Sequence, residues 1–271
     1  MFLQKPTFST ISVLIITFMI AGCQFNCFGQ QIYELGWKKD GFIAGAAIGI
    51  FAADLLLFEN APITVTEINA LDRADIWSFD RQATFNFSPG ARNTSDYFRT
   101  TLTIAPLCLY LSKRVRANAK EYIAMYAETI AVNLALTNIV KSSTSRIRPF
   151  IYNADVSTGR KIVRTAKRSF FSGHVSHTAS LSFFTAKVFS DLHPDSAWKY
   201  AVWAGAIIAP ALTGYFRYES GRHFPSDVIV GYAVGAAIGY FIPKLHRVID
   251  KNDVSIVGAE GGMGIGITLR M

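Results

Sequence analysis

The sequence predicts an all-α fold, a helical bundle of about six core helices whose ends carry the functional site. Hydrophobic residues make up 51% of the 271-residue chain and charged residues only 17%. This balance provides enough apolar material for a large core and excludes a disordered chain. Six apolar segments have the length of helices and lack the strict alternation of strands. These segments are 41–58, 95–115, 119–141, 174–192, 196–216 and 225–248.

Local signals place the ends of these helices. The turn 88–94 precedes the second helix, so Thr94 or Ser95 is its predicted N-cap. The third segment contains neither Gly nor Pro and reads as one long helix. Pro210 lies inside the fifth segment, where a proline is expected to kink a helix. Pro225 starts the sixth segment, in the first-turn position that favours proline.

Composition assigns the regions outside the six segments. Residues 72–85 predict an amphipathic helix between the first two core helices. Residues 254–271 alternate around a glycine pair and predict a short C-terminal β-hairpin. We therefore divide the chain into an N-terminal signal peptide or anchor (1–29), a helical domain (30–250) and a C-terminal tail (251–271).

The N-terminus carries an export signal. Residues 6–33 hold no charge, and their apolar centre, Ile11–Ala21, has the length of a signal-peptide core. The stretch Ile20–Cys23 resembles a bacterial lipobox, which would leave Cys23 as a lipidated N-terminus tethered to a membrane. Ordinary cleavage near Gly29 and an uncleaved anchor are the alternatives. We expect export to the bacterial cell envelope, with the protein either membrane-associated, by a lipid anchor or transmembrane helices, or periplasmic.

The apolar helices leave the membrane topology open. A helix that crosses a membrane needs about 20 consecutive apolar residues. The longest charge-free runs after the signal segment, Tyr200–Phe216 and Val228–Pro243, fall just short of that length. We expect a helical bundle held at a membrane, with a bundle that spans the membrane many times as the alternative.

Three short patterns stand in order at predicted helix ends. The first is a lysine, six residues and Arg-Pro; the second is Ser-Gly-His; the third is an arginine, five residues, a histidine, three residues and an aspartate. A lone cation or histidine at a helix end is usually solvated or a cap. Together, the three patterns supply the parts that phosphoryl transfer needs. Their residues are Lys141, Arg148 and Pro149; Ser172, Gly173 and His174; and Arg217, His223 and Asp227.

The cationic and hydroxyl residues of these patterns suit a phosphate group. Phosphoryl transfer spreads negative charge over three oxygens, so catalysis is mainly positioning and electrostatic stabilisation. Lys141, Arg148 and Arg217 would supply three fixed cations. Ser172 would donate a hydroxyl hydrogen. Gly173 would let an anion approach its backbone N–H at the start of a helix, where the dipole favours negative charge.

Two histidines, His223 and His174, can act as the nucleophile and the general acid. Asp227 follows His223 by four residues, so its carboxylate can reach one ring nitrogen and leave the other free as the nucleophile. His174 is the predicted general acid, because an imidazole with a pKa near 6.5 suits that role at neutral pH. His177, one helical turn on, is expected on the helix surface or as a group that supports the site. No metal is required.

In this order and at these helix ends, the patterns resemble the type 2 phosphatidic acid phosphatase family. That family shares a superfamily with bacterial class A acid phosphatases and vanadium haloperoxidases. The motifs span 141–227, and the helix pattern extends the likeness over roughly 41–247. Phe171 stands where the family has proline, and Phe216 where it has serine; neither departure removes a charged or proton-transferring residue. The resemblance implies a phosphohistidine on His223 that water resolves.

Several functions remain open at this stage. The net charge of +8 favours an anionic partner or serves solubility alone, and the basic loop 150–171 would draw in anions or face water. We expect a phosphatase for a lipid phosphate (phosphatidate-, prenyl-diphosphate- or lipid A-like) at a membrane, or else for small phosphomonoesters. We expect no cofactor, no nucleic acid and no protein partner. A haloperoxidase that binds vanadate and a non-enzymatic anion-binding protein are the remaining alternatives; in a phosphatase, vanadate would be an inhibitor.

Overall fold

The computed structural model describes residues 31–59 and 61–248, together with the backbone of two strands, 254–258 and 265–269. The predicted signal segment, with Cys23, lies outside these residues. Within residues 31–59 and 61–248, six long helices form the frame, so the all-α prediction with six core helices is confirmed. They are α1 (Trp37–Leu57), α2 (Pro89–Ile104), α3 (Ala119–Thr144), α4 (Gly173–Leu192), α5 (Trp198–Glu219) and α6 (Pro225–His246).

Short helical turns connect the long helices. In the part of the chain that the structure describes, four are α-helical: Val65–Asn69, Ser78–Arg81, Lys113–Ala117 and Thr158–Lys161. The same residues include four 3₁₀ turns: Arg73–Asp75, Gln82–Phe85, Ala105–Leu111 and Pro149–Ile151.

The predicted amphipathic helix over 72–85 is wrong, because that stretch breaks into three short turns. The Asp72 side chain caps the first of them by accepting from Ala74 N at 2.8 Å. The Arg81 guanidinium then donates to the carbonyl of Ile76 at 2.9 Å, which satisfies a backbone group that a regular helix would use itself.

The predicted C-terminal hairpin is present. Strand β1 (Val254–Gly258) pairs antiparallel with β2 (Ile265–Leu269). Val254 lies opposite Leu269, and Gly258 lies opposite Ile265.

Helix α2 begins earlier than the sequence predicted. Ser88 is its N-cap, with its Oγ accepting from Ala91 N at 3.1 Å, and Pro89 occupies the first helical turn. The prediction of Thr94 or Ser95 as N-cap is therefore wrong: the supposed turn is the first turn of the helix, where proline is favoured.

Helix α4 is the centre of the bundle. It packs against α2, α3, α5 and α6, and 13 of its 20 residues are buried. Phe184 and Val188 join Tyr122 and Met125 of α3 and Ile242 of α6 in the main hydrophobic cluster. The helix that begins with the predicted Ser-Gly-His pattern is thus held from several sides.

Three glycines bring α6 close against α4. They recur every fourth residue, at Gly231, Gly235 and Gly239, so all three lie on one face of the helix. A Cβ at Gly235 would lie 2.1 Å from the carbonyl oxygen of Ser176, and one at Gly239 would lie 2.0 Å from that of Ser180. Only residues without a side chain allow this approach. The close packing holds the start of α6 beside the start of α4.

Three stretches of the described residues are long and apolar enough to cross a membrane: Trp37–Leu57, Ala119–Ile151 and Pro225–His246. On the first of them, large apolar side chains such as Phe42 and Leu56 are exposed. These features are compatible with membrane association.

Candidate active site

The three sequence patterns meet where four helices end or begin. Lys141 lies in the last turn of α3, Ser172 is the N-cap of α4, Arg217 lies in the last turn of α5, and His223 comes two residues before α6. These four side chains and Arg148 are all buried, with exposed fractions of 8% or less. The structure therefore collects the predicted cations, the hydroxyl and the predicted nucleophile in one buried region.

Backbone carbonyls hold the Lys141 ammonium group in place. Its Nζ donates to the carbonyl of Arg168 at 3.0 Å and to that of Phe171 at 2.5 Å. A Cβ at Gly173 would lie 2.9 Å from Thr137 Cγ2 and 3.3 Å from Lys141 Cε. Glycine at this position thus lets the start of α4 sit directly beside the lysine.

Three buried donors, one from each pattern, point to an anion site. Arg148 Nε, Ser172 Oγ and Arg217 Nε are buried and have no hydrogen-bond partner among the described residues. Ser172 also makes no side-chain cap to its own helix, although it occupies the N-cap position. Buried donors are normally satisfied, and an unsatisfied one is costly. A bound oxyanion would accept from all three donor types.

A hydrogen bond from the ring of His223 defines its tautomer. Nδ1 lies 2.8 Å from the carbonyl oxygen of Ser169, which can only accept, so Nδ1 carries the proton. Nε2 is then the nitrogen with a free lone pair, as a nucleophile requires. Burial lowers the pKa of His223 well below its ordinary value, with Lys141 and Arg148 adding to the effect, so the ring is neutral.

Asp227 reaches His223 through Ser169. Its Oδ2 is 3.6 Å from His223 Nδ1, which is longer than a hydrogen bond. The same oxygen instead accepts from Ser169 Oγ at 2.5 Å and from Phe224 N at 2.9 Å. The orienting role predicted for Asp227 would thus act through the serine whose carbonyl holds the imidazole. The sequence reasoning did not single out Ser169.

Arg146 fixes the other oxygen of Asp227. Its NH1 donates to Asp227 Oδ1 at 2.6 Å, and its NH2 donates to Asp80 Oδ2 at 2.7 Å. Asp80 also accepts from Ser226 N at 3.0 Å, so the two carboxylates and the guanidinium tie the start of α6 to the 78–81 turn. The sequence reasoning did not single out Arg146. Its position inside the first pattern, as a third cation beside Lys141 and Arg148, could have marked it.

A carboxylate from α2 joins His174 to Arg217. Asp96 Oδ1 lies 2.8 Å from His174 Nε2 and accepts from Arg217 NH1 at 3.1 Å. The hydrogen bond from His174 and the charge of Arg217 hold the pKa of Asp96 below its usual value, although partial burial opposes them. Arg217 NH1 also donates to Ser95 Oγ at 3.0 Å. The sequence reasoning missed Asp96, because it lies 78 residues from His174 and no motif marks it.

Burial dominates the titration of both histidines on α4. It lowers the pKa of His174 to about 3, with Arg217 adding to the effect and Asp96 opposing it. It lowers the pKa of His177 to about 4. His177 is buried, and its Nε2 lies 2.8 Å from Thr103 Oγ1. The prediction of a helix-surface position for His177 is therefore wrong; it packs against α2.

Part of the chain that contains these residues matches a known protein family. Residues 122–250 match the model of the PAP2 superfamily. The matched segment makes up just under half of the 271-residue chain. All eight residues predicted for the site lie inside the matched PAP2 segment, whereas Asp80 and Asp96 lie before it.

Two known proteins are similar to this chain. A lipid A 4′-phosphatase of Porphyromonas gingivalis is 34% identical over 83 residues, which is 31% of this chain and 32% of that protein. The match thus spans about a third of that relative's length. A transmembrane PAP2-type phosphatidylglycerolphosphate phosphatase from Bacillus subtilis aligns with a TM-score of 0.43 and 16% identity, covering 86% of this chain and 94% of that one.

Proposed function

We propose that the protein is a phosphatase that hydrolyses a lipid phosphate or lipid diphosphate, phosphatidate-, prenyl-diphosphate- or lipid A-like, in the bacterial cell envelope. The three unsatisfied buried donors of Arg148, Ser172 and Arg217, together with the free Nε2 of His223, carry this proposal. A phosphoryl group would satisfy the donors and would be attacked by the histidine. Lys141 is a third buried cation, and its side chain lies beside Gly173 at the start of α4.

The reaction has two steps. In the first, His223 Nε2 attacks phosphorus, a P–N bond forms, the P–O bond to the lipid breaks, and His174 gives its proton to the leaving oxygen. In the second, His174 takes a proton from water as the water oxygen attacks the phosphohistidine, which releases phosphate and frees His223. The charge on the phosphoryl oxygens is offset by Lys141, Arg148 and Arg217, so the protein supplies the stabilisation that a metal gives elsewhere.

His174 must be protonated before it can act as an acid. Its pKa of about 3 in the substrate-free protein favours the neutral ring. A phosphate ester brings close to two negative charges into the same region, and nearby negative charge raises the pKa of a histidine. Substrate binding would therefore favour the protonated form of His174, which the first step requires. Asp96 would hold the ring through Nε2.

The apolar helices and the resemblance to a lipid A 4′-phosphatase favour a lipid substrate over a soluble one. Three stretches could lie in a membrane, which would keep the site beside membrane-embedded substrates. Arg160 and Arg164, in the loop 150–171 that joins the first two motifs, are exposed and would attract anionic headgroups.

Phosphate release from a panel of lipid phosphates and soluble phosphomonoesters tests the function. We expect the full chain in detergent micelles to release phosphate from a lipid phosphate, and His223→Ala and His174→Ala to lower kcat by about 100-fold or more. His193→Ala is the control, because that ring lies after the far end of α4 and should leave the rate unchanged. Vanadate should inhibit.

Three results would separate the alternatives. No release from any substrate would overturn the phosphatase proposal. Activity on soluble monoesters alone would replace the lipid substrate by a soluble one. An unchanged rate in His223→Ala would refute the phosphohistidine.

A further inference from the structure

A second cluster of ionisable side chains lies at the opposite end of α6 from His223. It consists of Asp40 in the first turn of α1, Glu128 in α3 and His246 at the end of α6. One ligand atom from each residue lies within 4.8 Å of the others. Helix α6 has 22 residues, which separates the two ends by roughly 30 Å at 1.5 Å per residue. The candidate active site does not use these residues.

The hydrogen bond of His246 to its own helix fixes which nitrogen faces the cluster. Nδ1 lies 2.8 Å from the carbonyl oxygen of Ile242, which can only accept, so Nδ1 carries a proton. Nε2 lies 3.0 Å from Asp40 Oδ1 and 3.3 Å from Glu128 Oε2. A neutral ring would direct a lone pair at two carboxylate oxygens. The arrangement therefore calls for a cation at Nε2, either a proton or a metal ion.

The state of the Glu128 carboxylate favours a metal ion over a proton at His246 Nε2. Its exposed fraction is 9%, and its Oε2 is buried without a hydrogen-bond partner among the described residues, although it faces Nε2. A backbone hydrogen bond fixes the orientation of the Asp40 carboxylate: its Oδ2 accepts from Gly36 N at 2.8 Å, and this leaves Oδ1 directed at the cluster. Lys39 Nζ is 3.9 Å from Asp40 Oδ1, but its hydrogen bonds go to backbone carbonyls.

We propose that Asp40, Glu128 and His246 bind a divalent transition-metal ion of the zinc or manganese class. Ligands at about 2.1 Å from a metal, at tetrahedral or octahedral angles, lie about 3.0 to 3.4 Å apart. The two distances at Nε2, 3.0 and 3.3 Å, fall in that range. A backbone carbonyl that accepts from the other ring N–H, as Ile242 does here, is the usual support of a histidine ligand. The partly exposed Asp40 leaves the remaining positions to water.

The ion would join the three helices that could lie in a membrane. Each ligand comes from a different one of those stretches, and the contact is made at one end of the bundle. Buried carboxylates are costly unless they are paired or coordinate a metal. The role is structural: the ion fixes α1 to α3 and α6. This proposal departs from the expectation that the chain carries no metal, and it does not depend on the proposed function.

Metal analysis of the untagged full chain tests the site. We expect about one zinc or manganese ion per chain by mass spectrometry, lost on prolonged chelation and regained on dialysis against either ion. The thermal unfolding midpoint should fall by several degrees on chelation and recover with the ion. Retention of less than about a tenth of an ion per chain, with an unchanged midpoint, would overturn the proposal and assign the cation at Nε2 as a proton.

A pair of matched variants locates the ion. Glu128→Gln preserves the shape of the side chain and should abolish both binding and stabilisation by the metal. Asp191→Asn is the control: Asp191 is also an ion-paired acid near this end of the bundle, but it bonds Lys187 and lies outside the cluster. Equal binding in wild type and Glu128→Gln, or equal loss in both variants, would refute the site.

Cobalt replacement keeps the test decisive if Glu128→Gln does not fold. X-ray absorption of the wild-type chain loaded with Co²⁺ should show one nitrogen and two carboxylate oxygens among its ligands. A spectrum without a nitrogen ligand would refute the site.

Discussion

Single residues outside the motifs govern the chemistry of the candidate site. Ser169 is one of them: its carbonyl sets the tautomer of His223, and its hydroxyl binds Asp227. Asp96 is another, because one carboxylate oxygen contacts both His174 and Arg217. In the proposed reaction each would position a catalytic group: Ser169 would decide which nitrogen of His223 attacks, and Asp96 would favour a proton on His174.

We expect Asp96→Asn to move the pH profile of the reaction. The negative charge of Asp96 raises the pKa of His174, so its removal lowers that pKa. The general acid would then lose its proton at a lower pH, and the alkaline limb of kcat against pH should shift towards acid by about one unit or more. The profile of phosphate release measures the shift.

The control for this prediction is Asp195→Asn, an exposed acid after the far end of α4. Its pH profile should match wild type. A drop in rate for Asp96→Asn with the limb unmoved would mean that Asp96 serves only to anchor Arg217.

At the scale of the elements, the site depends on how closely α4 and α6 pack. Their starts carry Ser172 and His223, and Ser172 N donates to the carbonyl of Asp227 at 3.0 Å. The three glycines of α6 set the distance between α4 and α6. A substitution in the middle of this helix pair should therefore shift Ser172 and His223 at its end.

Gly235→Ala should therefore destabilise the protein and lower its activity. The new Cβ would lie 2.1 Å from the carbonyl oxygen of Ser176, so the helices must separate. Overpacking of this kind costs about 1–3 kcal/mol. Thermal unfolding and kcat measure the two effects.

Gly49→Ala in α1 is the matched control, because a Cβ there meets nothing within 4 Å. Alanine favours a helix over glycine, so this variant should be neutral or slightly more stable. A Gly235→Ala variant as stable as Gly49→Ala would show that α4 and α6 can adjust without cost.

The sequence predicted the long helices and the motif residues, but not the contacts between helices. Long apolar runs, and Pro225 at the start of α6, identified the helices, because those signals are local. Asp96 reaches His174 only through the packing of α2 on α4, and no local pattern encodes that packing. Gly231, Gly235 and Gly239 were readable as a face of small residues, and this signal could have predicted the close helix pair. The helix predicted over 72–85 was wrong because side-chain caps and side-chain hydrogen bonds to the backbone stabilise short turns there.

At the scale of the whole molecule, the bundle buries histidines in their neutral form. Burial lowers the pKa of His174, His177 and His223. The unfolded chain binds protons at these rings below about pH 6.5, whereas the folded chain resists protonation. The free energy of unfolding should therefore be highest above that pH and should fall as the solution becomes more acid.

His177→Gln isolates one part of this effect. The pKa of His177 falls from 6.5 to about 4, so its contribution is lost as the pH drops through that window. Glutamine does not titrate and can still bond the Thr103 hydroxyl, so the variant should lose less of its thermal midpoint between pH 7.5 and 4.5 than wild type does. His193→Gln, at the half-buried end of α4, should follow wild type. If both variants track wild type over this range, His177 is not a source of the acid sensitivity, and the packing of α4 on α2 tolerates a charged ring.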